Sequence, residues 1–142
     1  NTIILQQYGI TASNLGPMTC GVATQFINWS NGSVNRAALQ IFGSAIARIE
    51  TFGTYSCRNI AGSARRSEHA SANAVDVSGF ILKDGRRISV LRDWNGSRDE
   101  KRFLRQVRDD ACRHFGTILS PDYNAAHRDH FHFDMGPSSS CR

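Results

Sequence analysis

The sequence predicts an α+β domain, with a small, mostly antiparallel sheet, helices at its N-terminal end and one helix packed near the C-terminus. Three observations predict it. Apolar residues at helical spacing occur in two blocks, one before residue 43 and one beyond residue 97. Alternating, strand-like runs fill the chain between them. One more alternating run, "HFHFDM" at 130–135, returns after the second helical block. At 142 residues, with no internal repeat or linker, residues 1–142 form a single domain.

Residues 1–17 end in "NLGP", where Pro17 is suited to the first turn of a helix. "MTCGVATQFINWS" follows, with apolar residues at 18, 22, 26 and 29 in helical spacing, and Asn31-Gly32 is expected to stop that helix. "VNRAALQIFG" predicts a second helix closed by Gly43. In "SAIARIETFGTYSC", Ile46, Arg48 and Glu50 alternate with Ala47, Ile49 and Thr51, which marks a strand. "NAVDVSGFILKDGRRISVLRDW" predicts two strands about a tight turn at Asp84-Gly85, the pair that favours positive φ. The arginine-rich stretch from Ser97 to Gly116 carries Phe103, Leu104, Val107, Ala111 and Phe115 on one helical face, so this helix covers the sheet. "HFHFDM" closes the core as the last strand, with histidines on one face and phenylalanines on the other.

Composition narrows the function classes. The chain is 40% hydrophobic and 20% charged, and no apolar run approaches the length of a membrane span, so no transmembrane segment is expected. A formal charge of +5 favours an anionic partner such as a cell-wall polymer, an anionic lipid or nucleic acid. The arginines are spread over several segments without interleaved aromatics to stack bases, which argues against nucleic acid. Nothing in the pattern calls for a partner subunit, and a monomer is expected. Cys20, Cys57, Cys112 and Cys141 form no C-x-x-C pair and are even in number, so they read as two disulfides and an oxidising compartment, periplasmic or secreted. Three connectivities are open. The one that ties the two ends together, Cys20–Cys141 with Cys57–Cys112, is the expectation. No secretory signal is visible before Asn1, as in a mature form or a domain cut from a longer chain.

Three of the five histidines fall within residues 127–132. His130 and His132 share a strand face, roughly 7 Å apart. Alone, an H-x-H pair is an ordinary strand feature. "RRSEHASANAVDV" changes that weighing, because it supplies His69 and, at the start of a strand, Asp76, separated by small residues that let backbone approach an ion closely. Two histidines and one carboxylate make the catalytic type of zinc site, with a fourth position left open. His114, at the end of the second helical block, is expected to cap that helix as a cation. Trp29 and Trp94 are expected in the core or at its rim.

Ser67-x-His69, Ala74-x-Asp76 and His130-x-His132 resemble the fingerprint of the LAS metallopeptidases, which include lysostaphin-type enzymes, D-alanyl-D-alanine metallopeptidases and the sonic hedgehog signalling domain. "YSCRNI", "RRSEHASANAVDVSGF", "RRISVLRDW", "ACRHFGTILSPDYNAAHRDHFHFDMG" and the terminal "CR" resemble the bacterial extensin-like C-terminal domain, from about Tyr55 to Arg142. The resemblance implies a LAS- or hedgehog-like fold and Zn²⁺ held by His69, Asp76 and His132. It places His130 beside the metal's water. It matches His127 to an additional active-site histidine of the penicillin-insensitive murein endopeptidases. Several related carboxypeptidases carry a glutamate as general base where this chain has Asp129, one methylene shorter. His130 is therefore the expected base and Asp129 its rival. Tyr55 and Arg58 resemble a substrate-contacting tyrosine-arginine motif, and a guanidinium fork suits a carboxylate or carbonyl. Ser67 either positions His69 or touches substrate. The implied activity is hydrolysis of stem-peptide or cross-link amides of peptidoglycan in a bacterial periplasm or outside the cell. The alternative is a zinc-containing module that recognises cell wall or protein without turnover, and a third reading has the histidines binding no metal.

Overall fold

A computed structural model describes residues 2–4, 9–54 and 68–142. Expectations resting on Tyr55, Cys57, Arg58 and Ser67 lie outside the described residues. Strand β1 (Thr2–Ile4) pairs antiparallel with β3 (Pro17–Thr19), apart from the main sheet, which begins with β2 (Thr11–Ser13). Pro17 opens a strand rather than a helix. The helix α1 (Cys20–Asn28) starts three residues later, where the Thr19 hydroxyl accepts the Val22 N–H.

Asn31-Gly32 does not stop the helix. Residues Trp29–Val34 form a wide π-helical segment that runs straight into α2 (Asn35–Phe42). Trp29, Ser30, Ser33 and Val34 are all buried there, so tertiary packing overrides the turn preference of Asn-Gly. The indole N–H of Trp29 donates to the Val107 carbonyl at 2.9 Å, and the Ser30 hydroxyl donates to the Phe26 carbonyl. Gly43, at φ 71°, ends α2 in the left-handed conformation, as expected.

The main sheet runs β2-β4-β5-β8-β7-β9, with β6 also on β5, through β4 (Ile46–Gly53), β5 (Ala74–Leu82), β6 (Arg87–Ser89), β7 (Thr117–Leu119), β8 (Phe131–Asp134) and β9 (Ser140–Cys141). The pairs β2–β4 and β7–β9 are parallel and the rest antiparallel. Strict alternation fails in β4 because the register with β5 shifts between Ile46 and Arg48, which brings Ile46 and Ile49 to one buried face three residues apart. A second shift, between Glu50–Gly79 and Thr51–Val77, does the same for Val77 and Phe80.

The hairpin between β5 and β6 is a three-residue loop. The Gly85 N–H donates to Leu82, the Leu82 N–H to Arg86, and only Gly85 takes positive φ, at 92°. The second strand of that hairpin stops at Ser89, where the Ser89 hydroxyl caps the short helix α3 (Val90–Asp93). Helix α4 (Arg98–Ala111) buries Phe103, Leu104, Val107 and Ala111 as its spacing requires.

The helical layer packs on one face of the sheet. Trp29 meets Phe80 and Phe133 at ring-centroid distances of 6.1 and 4.9 Å, and Phe103 meets Phe80 at 5.2 Å. Phe131 and Phe133 are fully buried in that layer. The intervening residues of β8 therefore face the other way.

Two corrections concern the chain after α4. Cys112 is bonded to Cys141, not to Cys57, and Cys20 is exposed and not bonded to Cys141. The parallel β7–β9 pairing carries Cys141 back to the end of α4, a return that sequence spacing does not reveal. The His114 ring faces the Gln25 side chain of α1 at 3.1 Å instead of capping α4, and burial lowers its pKa, with Arg113 adding to the effect.

Candidate metal centre

Antiparallel pairing of β5 and β8 sets Asp76 directly opposite His132. Cross-strand neighbours stand about 5 Å apart at Cβ, close enough for two side chains to share one ion. His69 reaches the same point from a short 3-10 turn, Glu68–Ser71, that feeds straight into β5. Ala72 ends that turn at φ 58°, and its carbonyl accepts the Thr19 N–H at 2.9 Å, which ties the turn to the start of α1.

His69, Asp76 and His132 bring one ligand atom each to within 4.8 Å of one another, and all three are largely buried. Both imidazoles converge on one oxygen, Asp76 Oδ1: His69 Nε2 at 2.9 Å and His132 Nδ1 at 3.2 Å. Each ring is held from behind by an acceptor. His69 Nδ1 donates to the Thr54 carbonyl at 2.7 Å, and His132 Nε2 donates to Asp134 Oδ2 at 2.6 Å. Those bonds place a proton on the outer nitrogen of each ring and aim the inner one at Asp76. Asp134 is itself fixed, since its other oxygen accepts the Gly136 N–H at 2.9 Å. A Cβ on Gly136 would come within 3.1 Å of that oxygen and 3.0 Å of the Glu68 side chain, a tight approach that would make these side chains shift.

The electrostatics match the geometry. Burial pushes the Asp76 carboxyl up, but hydrogen bonds from His132 and His69 outweigh it and hold the group well below the usual carboxylate range. Burial pulls His132 down, yet Asp134 and Asp76 outweigh it and raise the ring to about 9. A buried carboxylate kept ionised between two oriented imidazoles suits a divalent cation, with protons standing in that position when no ion is bound. The residues present therefore fit a metal ion.

His130 stands at the edge of this cluster. Its Nε2 lies 3.9 Å from Asp76 Oδ1, and its Nδ1 donates to Asp129 Oδ1 at 2.8 Å. His127, on a second 3-10 turn (Ala125–His127), stacks obliquely on His130 with centroids 5.0 Å apart, and its Nδ1 donates to the Asn124 side-chain oxygen at 2.7 Å. Burial lowers the His127 pKa to about 4, with the charges of His130 and His132 acting in the same direction. The structure thus brings together His69, Asp76, His127, Asp129, His130 and His132.

Sequence reasoning missed Asp134 and the Thr54 carbonyl. The first had a signal, because His130, His132 and Asp134 continue one period-2 face of "HFHFD". The carbonyl had none.

An α+β domain whose sheet pairs Asp76 with His132, beside His69 on the adjoining turn, carries a candidate metal centre. Its sequence matches the family described as Extensin-like protein C-terminus over residues 1–142, and the chain belongs to that family. No curated protein and no solved structure matches it. Among the described residues no helix is long and apolar enough to cross a membrane.

Proposed function

We propose that this domain is a zinc-dependent peptidoglycan peptidase of the LAS type, acting on stem-peptide or cross-link amides in the periplasm or outside the cell. The observation that carries the reading is the set His69 Nε2, Asp76 and His132 Nδ1, with His130 beside it but outside it. Three ligands among the described residues leave a coordination position open, as in catalytic sites, whereas four close a structural one. Zinc held there supplies Lewis acidity toward water and an amide carbonyl.

His130 takes the proton of the attacking water at Nε2. Asp129, hydrogen-bonded to Nδ1, favours the tautomer that leaves Nε2 free and stabilises the imidazolium that results. The two candidates for the base thus act as one dyad. As the new C–O bond forms and the C–N bond breaks, His130 returns that proton to the leaving amine. His127 stays neutral at pH 7, and its Nδ1–H is spent on Asn124. Its Nε2 therefore accepts a hydrogen bond, which suits a substrate N–H rather than the oxyanion. The Cys112–Cys141 bond and the net charge of +5 agree with an oxidising compartment and an anionic wall.

Incubation with purified muropeptides followed by mass spectrometry tests this. His132→Ala should lose both metal and product. His130→Ala should keep its metal and lose about 10²- to 10⁴-fold in rate. Equal product from wild type and both variants would sink the assignment.

A further inference from the structure

Outside the ligand set, four rings form one row along the rim of the cluster: Phe52, His130, His127 and Tyr123. Consecutive centroids lie 5.8, 5.0 and 5.6 Å apart. The two end members are open to solvent, with Phe52 57% and Tyr123 44% exposed. A single exposed phenylalanine is ordinary. Two exposed rings, each braced edge-on against a histidine of the same site, are not scattered apolar residues. Both are rooted in defined backbone. Phe52 sits on β4, and Tyr123 sits in a turn closed by its own N–H to the Ser120 carbonyl at 2.9 Å.

We propose that Phe52 and Tyr123 are the substrate-binding rings of the site, gripping C–H-rich surface on either side of the amide presented to His130. This rests on the peptidase reading. Exposed aromatic faces attract apolar or polarised C–H surface and lose little conformational freedom on binding. In a muropeptide that chemistry has two sources, the methyl groups of the alanines and the C–H face of a pyranose.

Steady-state kinetics on the metal-loaded protein, with a cross-linked disaccharide-peptide dimer and the same cross-linked peptide without sugar, test the proposal. Phe52→Ser and Tyr123→Ala should each raise KM roughly tenfold, with kcat and bound metal within about twofold of wild type. Phe52→Trp and Tyr123→Phe should restore KM. Leu91→Ser, which removes a 63% exposed apolar side chain from α3, should change nothing. A defect on both substrates assigns the rings to the alanines, and a defect on the disaccharide alone assigns them to the pyranose. Unchanged KM in both Phe52→Ser and Tyr123→Ala overturns the inference while leaving the peptidase reading intact. If wild type turns over neither substrate, that reading falls, and calorimetric binding to EDTA-treated protein decides the inference by itself. Weaker binding by Phe52→Ser then upholds it, and equal or absent binding overturns it.

Discussion

Replacing Asp134 with asparagine tests whether the outer hydrogen bonds set the metal-binding nitrogen. Asp134 spans two donors, taking the Gly136 N–H on Oδ1 at 2.9 Å and the His132 Nε2–H on Oδ2 at 2.6 Å. An asparagine that keeps its oxygen on the Gly136 N–H must turn its NH₂ toward His132. Two donors cannot face each other at that distance, so Nε2 becomes the acceptor and the ring proton moves to Nδ1. Nδ1 is the atom aimed at Asp76, and a protonated nitrogen binds no metal. Losing such a partner typically weakens metal affinity 10- to 100-fold, about 1.4 to 2.7 kcal/mol. Competition against a chromophoric chelator at pH 7.5 measures the affinity, circular dichroism checks the fold, and ¹⁵N shifts of His132 in metal-free protein at about pH 10, above its raised pKa of about 9, report its tautomer. Affinity within twofold of wild type, with the tautomer changed, would refute the reasoning.

Metal-free protein should be most stable near pH 6.5. His132 is raised from 6.5 to about 9, so its contribution of roughly 3 kcal/mol is full below pH 6.5 and is lost as pH rises toward 9. His127 is lowered to about 4, so stability also falls as pH drops from 6.5 toward 4, where the unfolded chain takes up a proton that the folded chain refuses. Thermal melts of EDTA-treated protein at fixed ionic strength should trace both limbs, and a flat Tm between pH 6.5 and 9 contradicts the first. For the disulfide, Cys112 and Cys141 are 29 positions apart, and opening that loop should cost about 3.5 kcal/mol in a chain-entropy treatment. Urea denaturation of Cys141→Ser measures the loss. Non-reducing peptide mapping should recover the 112–141 linkage, and a 20–141 linkage would show the topology at the C-terminus to be wrong.

What could be read from the sequence divides by range. Period-2 alternation in "HFHFD" and period-3.6 spacing in Phe103, Leu104, Val107 and Ala111 report a face that must be buried, and both emerge as expected. Gly43 ends its helix because a positive φ there is a local demand. Asn31-Gly32 misleads because Trp29 and Val34, one on each side, are wholly buried, and the burial of those side chains outweighs a local turn preference. The disulfide lay beyond reach for another reason. It depends on β9 adding in parallel to β7, and two residues of strand carry almost no pattern.

The three histidines of "HRDHFH" show how one local motif is sorted by long-range structure. His132 lies within β8, between β5 and β7, so two strands fix its ring beside Asp76 and bury it between two carboxylates. His130 precedes that strand by one residue and keeps a single partner, Asp129, on one nitrogen, which leaves the other directed toward Asp76. His127 hangs on a turn, half-buried beside two rings that carry positive charge when protonated, and is held neutral. Under the proposed mechanism, identical side chains at most five positions apart thus become a ligand, a proton carrier and an acceptor. The difference lies in what the fold sets within hydrogen-bonding distance of each ring: two carboxylates for His132, one for His130, whose other nitrogen stands 3.9 Å from Asp76, and for His127 the amide of Asn124. Moving one carboxylate should therefore exchange roles more readily than moving a histidine.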